Sequence, residues 1–479
     1  MMKSLGLAGA LACAAGSAFG QCGGYTPLVI YTEIPGHPTA QVPGSGGQEL
    51  TALLSLYASP NGQHWVFKGF VGASLDVIVA GSGVAGSVVA IEGGATPIAG
   101  STHSFTDSDC GINDSGHYAY GSRLNGATTT TDEVIFLFDG TQQVTAVRES
   151  DPAPGLFDPT GAGDEVFGNS LNSTHVLNDG TVAFRADLIA NIPTDYRSAL
   201  YHGSTVRSQE GTNAAEGDPI DSFVALSGNT FSSSADGSVW VAEADISPGT
   251  GSIEAVLVNN EVRLRDGDIL PGAAQAIDAV FAVDVDDVGN WFARGDFPDD
   301  TDWVVRNGDV IAMTGMPITT GSAETWGDTI VAMNGLGNDY LVAGNTSGGG
   351  QALVLNGTTV VARQGDLIQL DGSTQVEIAT FSAEDVALTD DGRVLAFVTL
   401  NEPGTGTGLG DAFVEWALVA GCNPADIAAP CGVLDLADIN AFIAGFVAQD
   451  PIADLAAPFG VWDLGDVGAF VTGFVNGCP

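Results

Sequence analysis

Six aspartates close to the C-terminus have a spacing that suits metal chemistry. They lie in a direct repeat of 28 residues, ADIAAPCGVLDLADINAFIAGFV from Ala425 and ADLAAPFGVWDLGDVGAFVTGFV from Ala453. The first copy holds Asp426, Asp435 and Asp438, and the second holds Asp454, Asp463 and Asp466. Calcium takes about six to eight oxygen ligands, largely carboxylate and carbonyl, so these six are candidate calcium ligands. The loop from Asp426 to Asp438 has 13 residues, and Ala428 and Pro430 offer no side-chain oxygen. Carbonyls or water would have to complete the shell. The competing role is helix capping. Asp435 and Asp463 stand where an N-cap belongs, with Asp438 and Asp466 three residues on, and a carboxylate there accepts first-turn N–H groups.

Elsewhere the reactive residue types are scattered. The histidines, His37, His64, His103, His117, His175 and His202, all fall in the first half, and none pairs with another at ligand spacing. His64 and His117 each follow a turn glycine, where a strand starts at the surface. Adjacent acids occur at Asp286-Asp287, Asp299-Asp300 and Asp390-Asp391. Paired carboxylates serve glycosidases, but acids within turns commonly accept local backbone hydrogen bonds. Gly-X-Ser-X-Gly, His-Glu-X-X-His and the phosphate-binding Gly-Lys-Ser/Thr pattern are absent. No catalytic or cofactor-binding residue is therefore assigned. Trp65, Trp240, Trp291, Trp303 and Trp326 are dispersed and are expected in the core rather than on a sugar-stacking platform.

The elements around these residues repeat. A small polar turn followed by an alternating strand occurs seven times: Asn61-Gly62 before HWVFKG, Asp114-Ser115-Gly116 before HYAYGS, Asp179-Gly180 before TVAFRA, Asp236-Gly237 before SVWVAE, Asp287-Val288-Gly289 before NWFARG, Gly337-Asn338-Asp339 before YLVAG, and Asp391-Gly392 before RVLAFV. Between these turns lie hairpins such as ALVLNG with TVVARQGD. Spacings of roughly 50–64 residues fit one four-stranded antiparallel unit. Pro27–Gly36 looks like the second strand of a first unit that lacks its opening strand, and Ala412–Val419 looks like a surplus strand after the last. Pairing of those two would close a ring and leave no free edge. The expected fold is all-β, a seven-bladed β-propeller over residues 21–421, with an open series of β-sandwiches as the alternative. The repeated segment 422–479 is expected as a small all-α module. Ile439, Phe442, Ile443 and Phe446 share a helix face, matched by Val467, Phe470, Val471 and Phe474.

Composition narrows the partners. The net charge is −45, from 13 basic and 58 acidic residues among 479. Such a surface repels phosphate backbones, so no nucleic-acid partner is expected. The charge serves either solubility in a salty medium or calcium binding. Residues 1–20 read as an export signal: Lys3, an apolar stretch from Leu5 to Ala15, and small residues Ala18 and Gly20 before the cleavage point. No transmembrane segment is expected after it. Past Cys13 there remain Cys22, Cys110, Cys422, Cys431 and Cys478, an odd number with no zinc-like spacing.

Two resemblances follow from these motifs. The turn strand Asn178-Asp179-Gly180-Thr181-Val182-Ala183-Phe184 and the segment Ala362-Arg363-Gln364-Gly365-Asp366 resemble those of uncharacterised secreted bacterial repeat proteins, which implies a fold and no activity. The duplicated loop–helix, bracketed by Gly421-Cys422 and Gly477-Cys478-Pro479, is similar to the GC-type dockerin domains of exported bacterial proteins. That resemblance implies an EF-hand-related module, calcium as its cofactor, and a cohesin-like or envelope partner. The flanking Cys422 and Cys478 are expected to form a disulfide, with Cys422–Cys431 as the alternative; Cys22 and Cys110 are a further candidate pair. The expected function is that of a secreted, extracellular or cell-surface protein without catalysis. Its propeller would be a binding or structural scaffold for an extracellular glycan or protein, and its tail an anchoring or assembly tag. The alternatives are a carbohydrate-active enzyme, a glycoside hydrolase or lyase on a propeller scaffold, and a calcium-dependent adhesin.

Overall fold

The computed structural model describes residues 25–190, 192–223, 231–249, 251–418, 423, 425–428, 434–448, 453, 455–456 and 461–478. The export-signal reading of residues 1–20 lies outside them. The chain divides into two compact units, Pro27–Ala417 and a second made of Met1–Thr26 with Leu418–Pro479.

The first unit is a propeller. Among the described residues it has seven antiparallel sheets, each one blade; blades 1 to 6 run in sequence order from the inner strand outward, and blade 7 does not. Blades 1 to 6 span 50–91, 102–148, 166–209, 220–265, 279–313 and 326–363. In blade 4 two short segments, Ile220–Ser222 and Phe231–Ser233, share the inner position and both pair with Trp240–Ile246. Blade 7 contains Gln375–Leu388, Val394–Asn401 and Gly408–Leu418, and its outer strand is Tyr25–Thr32 from the other end of the chain.

That arrangement corrects two expectations. Blade 1 does not lack an opening strand, because Leu50–Ala58 supplies it. The N-terminal strand belongs to the last blade, and the strand expected as surplus is that blade's third. The predicted closure itself is present: Glu33 N donates to Asp411 O at 2.9 Å, and Asp411 N to the Glu33 carboxylate at 3.0 Å.

The repeated turn joins the first and second strands of every blade. Its glycine takes φ between 60° and 90° in all seven copies, from Gly337 and Gly62 to Gly289. An L side chain is strained there, so glycine marks each turn in the sequence. The turns also touch around the ring: Asn61 N donates to Asp114, Asp114 N to Asn178, and Asp390 N to Asn61 O.

Seams between blades are apolar. At the closing seam Tyr31 and Phe413 of blade 7 pack with Trp65 and Phe67 of blade 1. The five tryptophans expected in the core are all buried. A second device crosses the seams. Inner strands carry β-bulges that leave a backbone N–H unpaired within the sheet. A side-chain oxygen from the preceding blade's third strand accepts it: Glu133 from Leu171 N, Glu254 from Val280 N, Asp302 from Ile330 N, and Gln351 from Phe381 N, at 2.6–3.0 Å. Part of the acidic composition thus serves as acceptors for buried amides.

The second unit contains two helices among its described residues, α1 (Leu436–Ala448) and α2 (Leu464–Asn476). Phe442 and Phe470 stack face to face at 4.2 Å between centroids. No helix among the described residues is long and apolar enough to cross a membrane.

Candidate functional site

The seven inner strands surround a cavity of about 590 Å³ at the axis, within the range of small-ligand pockets, about 300–1,000 Å³. Blade 5 contributes Asp284 and blade 7 contributes Glu384 and Asp385. Tyr57, His175, Ser232 and Asn334 add polar atoms from blades 1, 3, 4 and 6.

Each axial acid is held by defined donors. Asp385 Oδ1 accepts from Leu56 N at 2.8 Å across the blade 7–blade 1 seam. Asp284 accepts from Ser232 Oγ at 2.9 Å, Val285 N at 2.8 Å and Asn334 Nδ2 at 3.3 Å. Asn334 Oδ1 in turn accepts from Leu388 N at 2.8 Å, so this chain of hydrogen bonds crosses blades 4, 5, 6 and 7. Glu384 pairs with the Arg294 guanidinium of blade 5. Because a carbonyl only accepts, the 2.7 Å contact between His175 Nε2 and Phe231 O fixes the proton on Nε2.

Burial governs the protonation of this site. Desolvation pushes Asp284 up to about 7 and Asp385 up to about 8. It lowers His175, which is therefore neutral. It also raises Glu384, against the attraction of Arg294. Two carboxyls that retain protons near neutrality, beside a neutral imidazole, could donate hydrogen bonds to a polar ligand or exchange protons with one.

Sequence reading did not single out Asp284, Glu384 or Asp385 as a site. The available signal was an acid inside an otherwise apolar strand, as in AVFAVDV and SAEDVAL. The adjacent acids Asp286-Asp287, Asp299-Asp300 and Asp390-Asp391 sit at turns, and Asp286 and Asp287 also line the axial cavity. Asp286 accepts from Val288 N and Asn290 N, Asp391 from Thr389 Oγ1 and Arg393, and Asp299 from Thr301 Oγ1 and Gln275.

The candidate calcium ligands of the C-terminal unit fall into two equivalent sets. Asp438 Oδ1 accepts from Ile427 N and Ala428 N, both at 2.8 Å, and its Oδ2 from Asp435 N at 2.9 Å. Asp466 repeats the pattern with Leu455 N, Ala456 N and Asp463 N at 2.7–2.9 Å. These amides, Asp463 N foremost, hold Asp466 below its ordinary range. Asp435 and Asp463 cap their helices through Ala437 N and Gly465 N. Asp426 is buried at the start of the first loop, and Asp454 lies outside the described residues. Cys478 is disulfide-bonded, whereas Cys22, Cys422 and Cys431 lie outside the described residues.

Helices α1 and α2 also form a groove lined only by apolar side chains. Ile439, Phe442 and Ile443 face Val467, Phe470, Val471, Phe474 and Val475. Ile443, Val471 and Val475 are 56%, 52% and 78% exposed.

Comparison with known proteins gives a family of unknown function, DUF7453, whose model matches residues 71–289, from the middle of blade 1 to the turn of blade 5. No curated protein matches the chain. Among solved structures it is similar to the polysaccharide lyase Uly1, with 11% identity over 83% of this chain and 100% of that one, at a TM-score of 0.40. It is similar to prolyl oligopeptidase B from Galerina marginata, with 11% identity over 76% of this chain and a TM-score of 0.34, and it spans about half (51%) of that chain. A chain from a mitotic checkpoint complex matches at 10% identity over 87% of this chain and 98% of its own, with a TM-score of 0.33. At these scores the likenesses carry nothing about activity.

Proposed function

We propose that this is an exported, non-catalytic scaffold whose propeller binds an extracellular glycan or protein and whose C-terminal unit is a dockerin-like attachment tag. The observation that carries this reading is the apolar groove on α1 and α2. Its two walls are copies of one motif, and it leaves Ile443, Val471 and Val475 in water. An apolar groove with exposed rim residues is the kind of surface that can dock a protein partner. The proposed occupant is a cohesin-like protein of the cell envelope. Within the propeller, each axial acid is engaged by another blade or its own backbone, which favours a structural role over a reactive one. For Asp438 and Asp466 we favour capping, since each carboxylate already accepts three backbone N–H groups. Cys422 is the proposed partner of Cys478.

The test is cell fractionation of the full chain and of Ile443→Asp/Val471→Asp, with circular dichroism to confirm folding. The proposal expects the parent chain in the envelope fraction and the variant in the medium. Equal distribution would refute the attachment role.

A second reading, a carbohydrate-active enzyme, is favoured by the two axial carboxyls pushed up to about 7 and 8 in a ligand-sized cavity. Turnover of any polysaccharide in a broad panel would establish it over the first.

A further inference from the structure

The axial cavity is one-sided in charge. Asp284, Asp286 and Asp287 line it from blade 5, and Glu384 and Asp385 from blade 7. Among the described residues on its wall, Lys68 is the one lysine or arginine, and it pairs with Asp76 at 2.8 Å. Glu384 is matched by Arg294, and Asp286 has Arg306 at 3.9 Å. Among the described residues, no cation pairs with Asp284, Asp287 or Asp385.

A break in a strand brings the blade 7 acids to the axis. Along Gln375–Leu388 the ladder to the next strand is interrupted between Phe381 and Val386, and Glu384 takes φ 61° there. An unbroken strand would turn the neighbours Glu384 and Asp385 to opposite faces. The bulge lets both line the cavity. Asp385 is only 9% exposed, and its Oδ1 is engaged by Leu56 N. Its Oδ2 has no hydrogen-bond partner among the described residues. A carboxylate oxygen this deep favours a ligand that brings it a donor. On the same wall Leu54 of blade 1 is 39% exposed, a large apolar side chain facing the cavity.

These features select a ligand chemistry. A uronate or other anion would meet carboxylates with every nearby cation already paired, and like charges repel. A neutral sugar would leave the negative charge unanswered. An ammonium answers it with charge-assisted hydrogen bonds. A linear alkylammonium, such as a lysine side chain, would leave most of the 590 Å³ to water. A sugar ring fills more of it and can lay its C–H face on Leu54. We propose that the axial cavity binds the free ammonium group of an amino sugar, with Asp385 as its principal acceptor and Asp284 and Asp287 supplying further negative charge. This rests on the reading of the propeller as a binding scaffold and names the class of glycan it takes.

The experiment is isothermal calorimetry on the full chain at pH 7. The probes are the β-linked glucosamine disaccharide, its N-acetylated form, cellobiose and the dipeptide lysyl-lysine. The glucosamine disaccharide is expected to bind about tenfold or more tighter than the other three, the difference one charge-assisted hydrogen bond makes. Burial keeps protons on Asp284 and Asp385 near neutrality. An arriving ammonium releases them, so the heat is expected to differ between phosphate and Tris buffers. Asp385→Asn keeps an oxygen for Leu56 N and is expected to lose the preference. If circular dichroism shows that it does not fold, Asp287→Asn is expected to weaken the preference instead. Equal binding of the N-acetylated sugar or cellobiose overturns the ammonium inference and leaves the scaffold reading standing. Tighter binding of lysyl-lysine overturns the sugar and assigns the cavity to a protein. Binding of none, or a preference unchanged in the folded variant, also overturns the inference. The envelope fractionation then decides the attachment role by itself.

Discussion

Phe413 of the last blade and Trp65 of the first meet edge to face, with 5.1 Å between ring centroids and 84° between ring planes. Phe397 and Phe67 extend the contact on either side. The chain ends of the propeller are thus joined by a strand and locked by aromatic packing. Such ring pairs contribute about 0.5–1.5 kcal/mol each beyond the area they bury.

Phe413→Ala is therefore expected to cost about 3–5 kcal/mol, as for other fully buried aromatic truncations. Urea unfolding measures it. Deleting residues 25–32 exposes the edge of Gly408–Leu418, so size-exclusion chromatography is expected to show oligomers or aggregate.

The cross-seam acceptors give a milder prediction. Gln351→Ala removes the acceptor of Phe381 N and is expected to cost about 1–3 kcal/mol, the penalty of a buried donor left unpaired. Gln351→Glu keeps an acceptor oxygen and is expected to lose less. Urea midpoints of the two variants, compared with the parent, check this.

Stability should fall as pH rises. Burial, with the charges of Glu254 and Asp245 added, pushes Glu243 from an ordinary 4.5 up to about 9. Asp385 and Asp284 rise to about 8 and about 7. The folded state then binds more protons than the unfolded state between about pH 4 and 9. The contribution is complete below the unfolded values and lost as pH passes the folded ones. Melting in EDTA is expected to drop steadily from pH 5 to pH 9, and Glu243→Gln is expected to flatten the upper part of that slope.

In the C-terminal unit, Asp438→Ala frees the amides of Ile427, Ala428 and Asp435 at once. Hydrogen exchange at these three positions is expected to accelerate at least tenfold. Calcium is expected to leave the exchange of the parent unchanged if capping is the role of these acids.

The blades were legible because each repeat announces itself through a turn that needs positive φ, as at Gly62 and Gly180. Their phase was not. A strand's alternation shows that it has two faces but not its place in the blade, so Pro27–Gly36 reads as a second strand, where the structure has Tyr25–Thr32 as the outer strand of blade 7. The duplicated helices and their shared aromatic face were legible from offsets of three and four residues, confirmed by the Phe442–Phe470 stack. The buried acids were not. Glu243, Asp284 and Asp385 belong to no motif, and what they face depends on which blade packs against theirs.

The central proposal is that the axial acids hold blades together and do not turn over a substrate. The most direct test joins two readouts on Asp385→Ala, which orphans Leu56 N. We expect no turnover by the parent on a polysaccharide panel, and a loss of about 1–3 kcal/mol in the variant. Turnover by the parent that vanishes in the variant at unchanged stability would contradict the proposal.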